Sequence, residues 1–249
     1  MALRWHLVEG AAGCRAAVEH GWTAVVVDAL RASATAAMLF EAGARTVYAV
    51  REMDEARALQ RRLPDALLAG ERGGLPPDGF ALGNSPRGVE VARGRDVIFT
   101  TTTGAGRMVS AWGAHAVYMG GPVNATAVVR AVAREGRDVV VIPAGLADDP
   151  TFDAQEDWAG AAFLVAHAEA VLGAPAEVGE GGDAWAHWAG RLREEGLARL
   201  FETAPHAAKL RRVGLDADIG YCARADLTDA VPRGAERIAE GVRMIRDGG

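Results

Sequence analysis

The hydrophobic positions of this chain fall into short unbroken runs. TAVVVD (23–28), RTVYAV (45–50), DVIFTT (96–101), HAVYMG (115–120) and DVVVIPAG (138–145) are apolar and rich in β-branched residues. Runs without alternation suit strands buried on both faces. LLA (67–69) reads as the end of another strand. Between these runs, 33–42, 53–63, 104–112 and 124–135 carry helical spacing. Strand–helix alternation of this kind predicts an α/β fold: a mainly parallel sheet flanked by helices, in three layers. A longer alanine-rich helix is expected over 152–172, and two or three more over 185–214 make a helical C-terminal part. The glycine-rich, acidic GAPAEVGEGGDA (173–184) reads as a linker or exposed loop. The 249 residues therefore form one domain, or two subdomains meeting there. In the tail, DIGYCARAD reads as a strand and RGAERIAEGVRMIR as a helix.

Polar residues collect just past the ends of these strands: Asp28 and Arg31, Glu71 and Arg72, Thr101 to Thr103, Asn124, and the acids from Asp148 to Asp157. In open parallel sheets that rim is where ligands bind. Five separated segments are thus expected to converge on one crevice. Composition removes other classes. A net charge of −6 argues against a general nucleic-acid binder, which needs a basic face. No uninterrupted apolar run approaches the roughly 20 residues of a membrane span, and the N-terminus is too mixed for a signal peptide. With only Cys14 and Cys222, a reducing cytoplasm is the expected location.

Asp28, at a strand end, can hold a divalent cation or attack an electrophile; the structural alternative is a helix N-cap. A haloacid-dehalogenase mechanism needs a second Asp two residues on, where this chain has Leu30. TTTTGAG (100–106) offers hydroxyls and helix N-terminal amides to an anion, or only local capping. It lacks the GK[ST] of a nucleotide-binding loop. LADDPTFDAQEDWAGA (146–161) carries oxygen ligands that suit Mg²⁺, although acids at a helix start also complement its dipole. Without HxxxH or CxxC, a zinc site is not expected.

The order of these motifs carries more than any one of them. DALRASAT (28–35), AGERGG (69–74), GFALGNSP (79–86), TTTTG (100–104), NATAV (124–128), the Glu156-Asp157 pair and DIGYCA (218–223) occur in one chain. That series resembles the 2-phosphosulfolactate phosphatase family, the ComB-like proteins of coenzyme M biosynthesis, from about residue 22 to 232. Thr103 stands where the family pattern would have Asn. The resemblance implies a Mg²⁺-dependent phosphatase that converts 2-phosphosulfolactate to 3-sulfolactate and phosphate. Asp28, Glu71 and Arg72 are then the expected catalytic residues, with Asp28, Glu71, Glu156 and Asp157 as metal ligands. Arg31, Asn84, Ser85, Thr102, Thr103, Gly104 and Asn124 are expected to bind substrate or its phosphate. Arg72 should face an anionic group of the ligand, and Pro86 should start a short helix. The expected partner is a small anionic phosphorylated substrate, with no nucleic acid and no membrane; a homodimer stays open. Two alternatives stand beside this reading: a phosphatase of another small phosphorylated acid, and a non-catalytic anion-binding metabolite sensor.

Overall fold

A computed structural model describes residues 3–146, 149 and 151–248. Along the chain run β1 (Arg4–Leu7), α1 (Gly10–His20), β2 (Thr23–Val27), α2 (Ala32–Glu41), β3 (Thr46–Val50), α3 (Met53–Arg62) and β4 (Leu67–Gly70). β5 (Asp96–Thr100), α4 (Gly104–Ser110), β6 (Ala116–Met119), α5 (Ala125–Arg134), β7 (Val139–Pro143) and α6 (Gln155–Leu172) follow. The chain then forms β8 (Glu177–Val178), α7 (Gly182–Glu195), α8 (Leu197–Thr203), α9 (Pro205–Arg212), α10 (Asp216–Cys222), β9 (Pro232–Arg237) and β10 (Gly241–Arg246). The fold is α/β, with helices flanking a mostly parallel sheet. Among the described residues no helix is long and apolar enough to cross a membrane.

The unbroken apolar runs become strands whose two faces are both covered. Val25, Val27, Val139 and Val141 enter one apolar cluster with residues of α5 and α6. Their neighbours Ala24, Val26, Val140 and Ile142 enter another with residues of α1 and α4. A strand covered on both sides has no polar face to display, which is why no alternation marks it.

The strand order is β4-β5-β3-β10-β9-β6-β2-β7-β1-β8. Two parallel groups are joined by β9 and β10, which pair antiparallel with each other and with β6 and β3. This hairpin replaces the helix expected over RGAERIAEGVRMIR. Val242 and Met244 are buried against the sheet while Arg243 between them is not, a period of two. A Cβ at Gly241 would lie 2.0 Å from the Ala49 carbonyl oxygen, so the close approach of β10 to β3 requires glycine there. The strand expected over DIGYCARAD is also corrected. It forms helix α10, whose Ile219 and Cys222 pack into the same cluster as α8 residues Leu200 and Phe201. No helix starts at Pro86; the nearest regular element is a short 3-10 turn at Glu90–Ala92. Within 173–184, β8 pairs with β1 at the sheet edge. β1 and α1 were not legible in the opening residues, because MALRWHLVEG mixes apolar and charged positions.

Candidate active site

Residues just past β5 and β2 meet although four strands separate them in the sheet. Between them α4 packs across β5, β3, β10, β6 and β2. The point of contact is tight: a Cβ at Gly104, the first residue of α4, would lie 2.5 Å from Asp28 Oδ2. Glycine at 104 therefore lets the start of α4 close over the Asp28 carboxylate. Segments following β2, β4, β5 and β7, joined by α9, enclose a cleft of about 360 Å³. That volume suits a small organic acid.

Asp28 is 9 % exposed and lines the cleft. Its Oδ1 accepts a hydrogen bond from Ala32 N at 3.1 Å, so the carboxylate also serves the start of α2. The capping reading of Asp28 made from sequence is thus met by this contact. Burial raises its pKa above the ordinary value, the Glu71 and Glu156 charges add to this, and the Ala32 N–H and His206 oppose it. Asp157, in the first turn of α6, lines the same cleft. It accepts from Ala29 N at 2.7 Å and from Gly145 N at 3.0 Å, which ties α6 to the ends of β2 and β7. Its pKa is raised well above the usual range by burial, and further by the Glu156 and Asp28 charges.

Glu71 also lines the cleft, but its oxygens are engaged. Oε1 accepts from Thr102 N and Thr102 Oγ1 at 2.8 and 2.9 Å, and Oε2 from Gly74 N at 2.9 Å. The side chain thus clamps the glycine-rich turn to the threonine-rich one. Arg31 reaches the cleft with its charge already balanced: Nη1 donates to Asp218 Oδ2 at 2.6 Å and Nη2 to the Gly74 carbonyl at 2.8 Å. Its side chain is 2 % exposed. Ser85 donates to the other Asp218 oxygen at 2.9 Å and braces the loop. Asn84 lines the cleft, and its Oδ1 is buried without a hydrogen-bond partner. Thr102 and Thr103 line the cleft as well.

Five expected residues do not line the cleft: Ser85 and Gly104, whose contacts are given above, and Arg72, Asn124 and Glu156. Arg72 is corrected: its guanidinium donates to the Glu71 and Arg51 carbonyls and to Thr100 Oγ1, which turns it towards its own backbone. Asn124 accepts from Gly121 N and donates to the Ala230 carbonyl, a brace between β6 and the C-terminal segment. Glu156 is buried behind the cleft, with Oε1 3.0 Å from His206 Nδ1. Of the other acids, Asp148 lies outside the described residues and Asp149 closes a turn on Thr151.

Sequence reading missed the contribution of α9. His206, Lys209 and Arg212 all line the cleft. Burial alone would lower the His206 pKa, but the Glu156 hydrogen bond and the Glu156 and Asp28 charges outweigh it and raise the pKa. The local signal was PHAAKLRR, a proline-started basic helix in an acidic chain.

Among the described residues no three His, Cys, Asp or Glu side chains gather closely enough to hold a metal by themselves. Mg²⁺ asks for less: one or two carboxylates, with waters and substrate phosphate completing its shell. Asp28 and Asp157 could supply that much, because they line one cleft and the Asp28 charge raises the proton affinity of Asp157. A cation between such groups offsets their repulsion.

The family model for 2-phosphosulpholactate phosphatase matches residues 13–237. A protein of Carboxydothermus hydrogenoformans described as "probable 2-phosphosulfolactate phosphatase" is 35% identical over 229 residues, 89% of this chain and 92% of its own. Proteins of the same description from Deinococcus radiodurans and Thermus thermophilus are each 36% identical, over 88% and 89% of this chain and 93% and 92% of theirs. Matches of this extent take in the Asp28, Glu71, Asp157 and α9 segments together, and the chain belongs to the 2-phosphosulpholactate phosphatase family.

Proposed function

We propose that this enzyme, a phosphoric monoester hydrolase, uses Mg²⁺ to hydrolyse 2-phosphosulfolactate to 3-sulfolactate and phosphate. The observation that carries the reading is the meeting of Asp28, Asp157 and His206 in one small cleft. Asp28 and Asp157 would hold Mg²⁺, which neutralises charge on the phosphoryl oxygens. Glu71 keeps the two turns beside them in register. His206, held at Nδ1 by Glu156, presents Nε2 as the proton donor to the leaving ester oxygen. Water supplies the oxygen that the phosphorus gains, and one of its protons passes to a carboxylate. In this reading Asp28 takes it.

Phosphate release from 2-phosphosulfolactate, measured with Mg²⁺ and with excess chelator, tests this. Activity should need Mg²⁺, and Asp28→Asn should lower kcat by at least about a hundredfold while the protein stays folded. The asparagine keeps an acceptor for Ala32 N, so a purely structural role would survive the change. Full turnover in chelator, or near-normal turnover of the Asp28 variant, would overturn the reading.

A further inference from the structure

We propose that Lys209 and Arg212 of α9 bind the second, non-transferred anionic group of the substrate, and so set the enzyme's preference for phosphorylated acids over simple phosphate esters. This rests on the phosphatase reading of the same cleft. His206 and Lys209 stand three residues apart on α9, and Arg212 three further on. Residues at that spacing are neighbours on one side of a helix, with one turn rising about 5.4 Å. A group reading the ester oxygen at His206 thus has a cation one turn away, the scale of a short acid carrying a carboxylate or sulfonate beside its phosphate.

The cations of the cleft differ in what they have left to give. Arg31 is neutralised by Asp218. Lys209 and Arg212 line the cleft on exposed positions, and neither forms an ion pair with a carboxylate among the described residues. Lys209 Nζ stands 4.1 Å from the centroid of the Phe152 ring. That contact positions an ammonium group without neutralising it, and its N–H donors remain for an anion. A basic last turn also complements the helix dipole, which would account for Lys209, Arg211 and Arg212 alike. Arg211 fits that simpler role: it donates to the Glu202 carbonyl and does not line the cleft. It is therefore a built-in control.

The test compares Lys209→Gln, Arg212→Gln and Arg211→Gln on 2-phosphosulfolactate and on p-nitrophenyl phosphate, with calorimetric binding of 3-sulfolactate and of inorganic phosphate. Losing a charge-assisted hydrogen bond should raise KM for 2-phosphosulfolactate about tenfold in the Lys209 and Arg212 variants, with a clearly smaller rise for p-nitrophenyl phosphate. The affinity for 3-sulfolactate should fall by a similar factor, and Arg211→Gln should match the parent. Equal effects on both esters, or the same effect from Arg211→Gln, would overturn the proposal. If the parent releases no phosphate from either ester, the phosphatase reading fails and calorimetry still decides this one. Selective loss of 3-sulfolactate binding in the two variants supports it; unchanged binding, or none by the parent, overturns it.

Discussion

Asp157 is a carboxyl group whose neighbours pull it in two directions. Burial and the Glu156 and Asp28 charges raise its pKa well above 3.8, while the Ala29 and Gly145 N–H groups favour the ionised form. Because the folded-state pKa exceeds the unfolded one, the folded state binds more protons. The stability from this group is complete below its unfolded pKa and is lost as pH rises through the raised folded value. The melting temperature of the metal-free protein should therefore fall as pH rises above the ordinary carboxyl range, and Asp157→Asn should flatten that fall. Mg²⁺ should restore the parent at neutral pH by binding the folded state. Calorimetric scans in chelator would show it, and a parent with no such slope would contradict it. The arginines teach the same lesson at this scale. Arg72 looked like a ligand group because of its neighbours in sequence, but its guanidinium donates to two backbone carbonyls and to Thr100 Oγ1 and does not line the cleft.

Between elements, the Arg31–Asp218 pair does most of the tying. It joins the start of α2 to α10, and through Gly74 and Ser85 it also holds both loops that follow β4. Removing one partner leaves an uncompensated buried charge, which costs about 3–5 kcal/mol. Arg31→Met should destabilise by that amount in urea unfolding. The double change Arg31→Met with Asp218→Leu should recover about half of it or more, since no charge is then stranded. Equal destabilisation of the single and double variants would mean that the pair's value lies in its hydrogen bonds to Gly74 and Ser85. α9 depends on the same framework: its Leu210 and the following Val213 border Gly74, so the glycine-rich turn and the basic helix are positioned together.

For the whole molecule, the β9–β10 hairpin is the joint. It fills the sheet between β3 and β6, and without it two parallel pieces would face each other with open edges. A chain ended after Ala230 should lose cooperative thermal unfolding by circular dichroism and lose the cleft with it; retained cooperativity would show that the pieces pair directly. The hairpin was misread as a helix because its apolar residues are few and interleaved with arginine and glutamate, a pattern that fits either period until pairing with β3 decides. The sequence by itself determined the buried parallel strands, since continuous β-branched runs bounded by turns have few other ways to hide from water. It also determined the acidic and threonine-rich strand ends, and the motif order that marks the family. Tertiary structure alone decided which of those residues meet. Asp28 and His206 are distant in the chain, and only the docking of α9 places them in one cleft. The same packing turned Arg72 and Asn124 towards backbone carbonyls and Glu156 towards His206, because most donors and acceptors removed from water find a partner nearby, whatever their place in a motif.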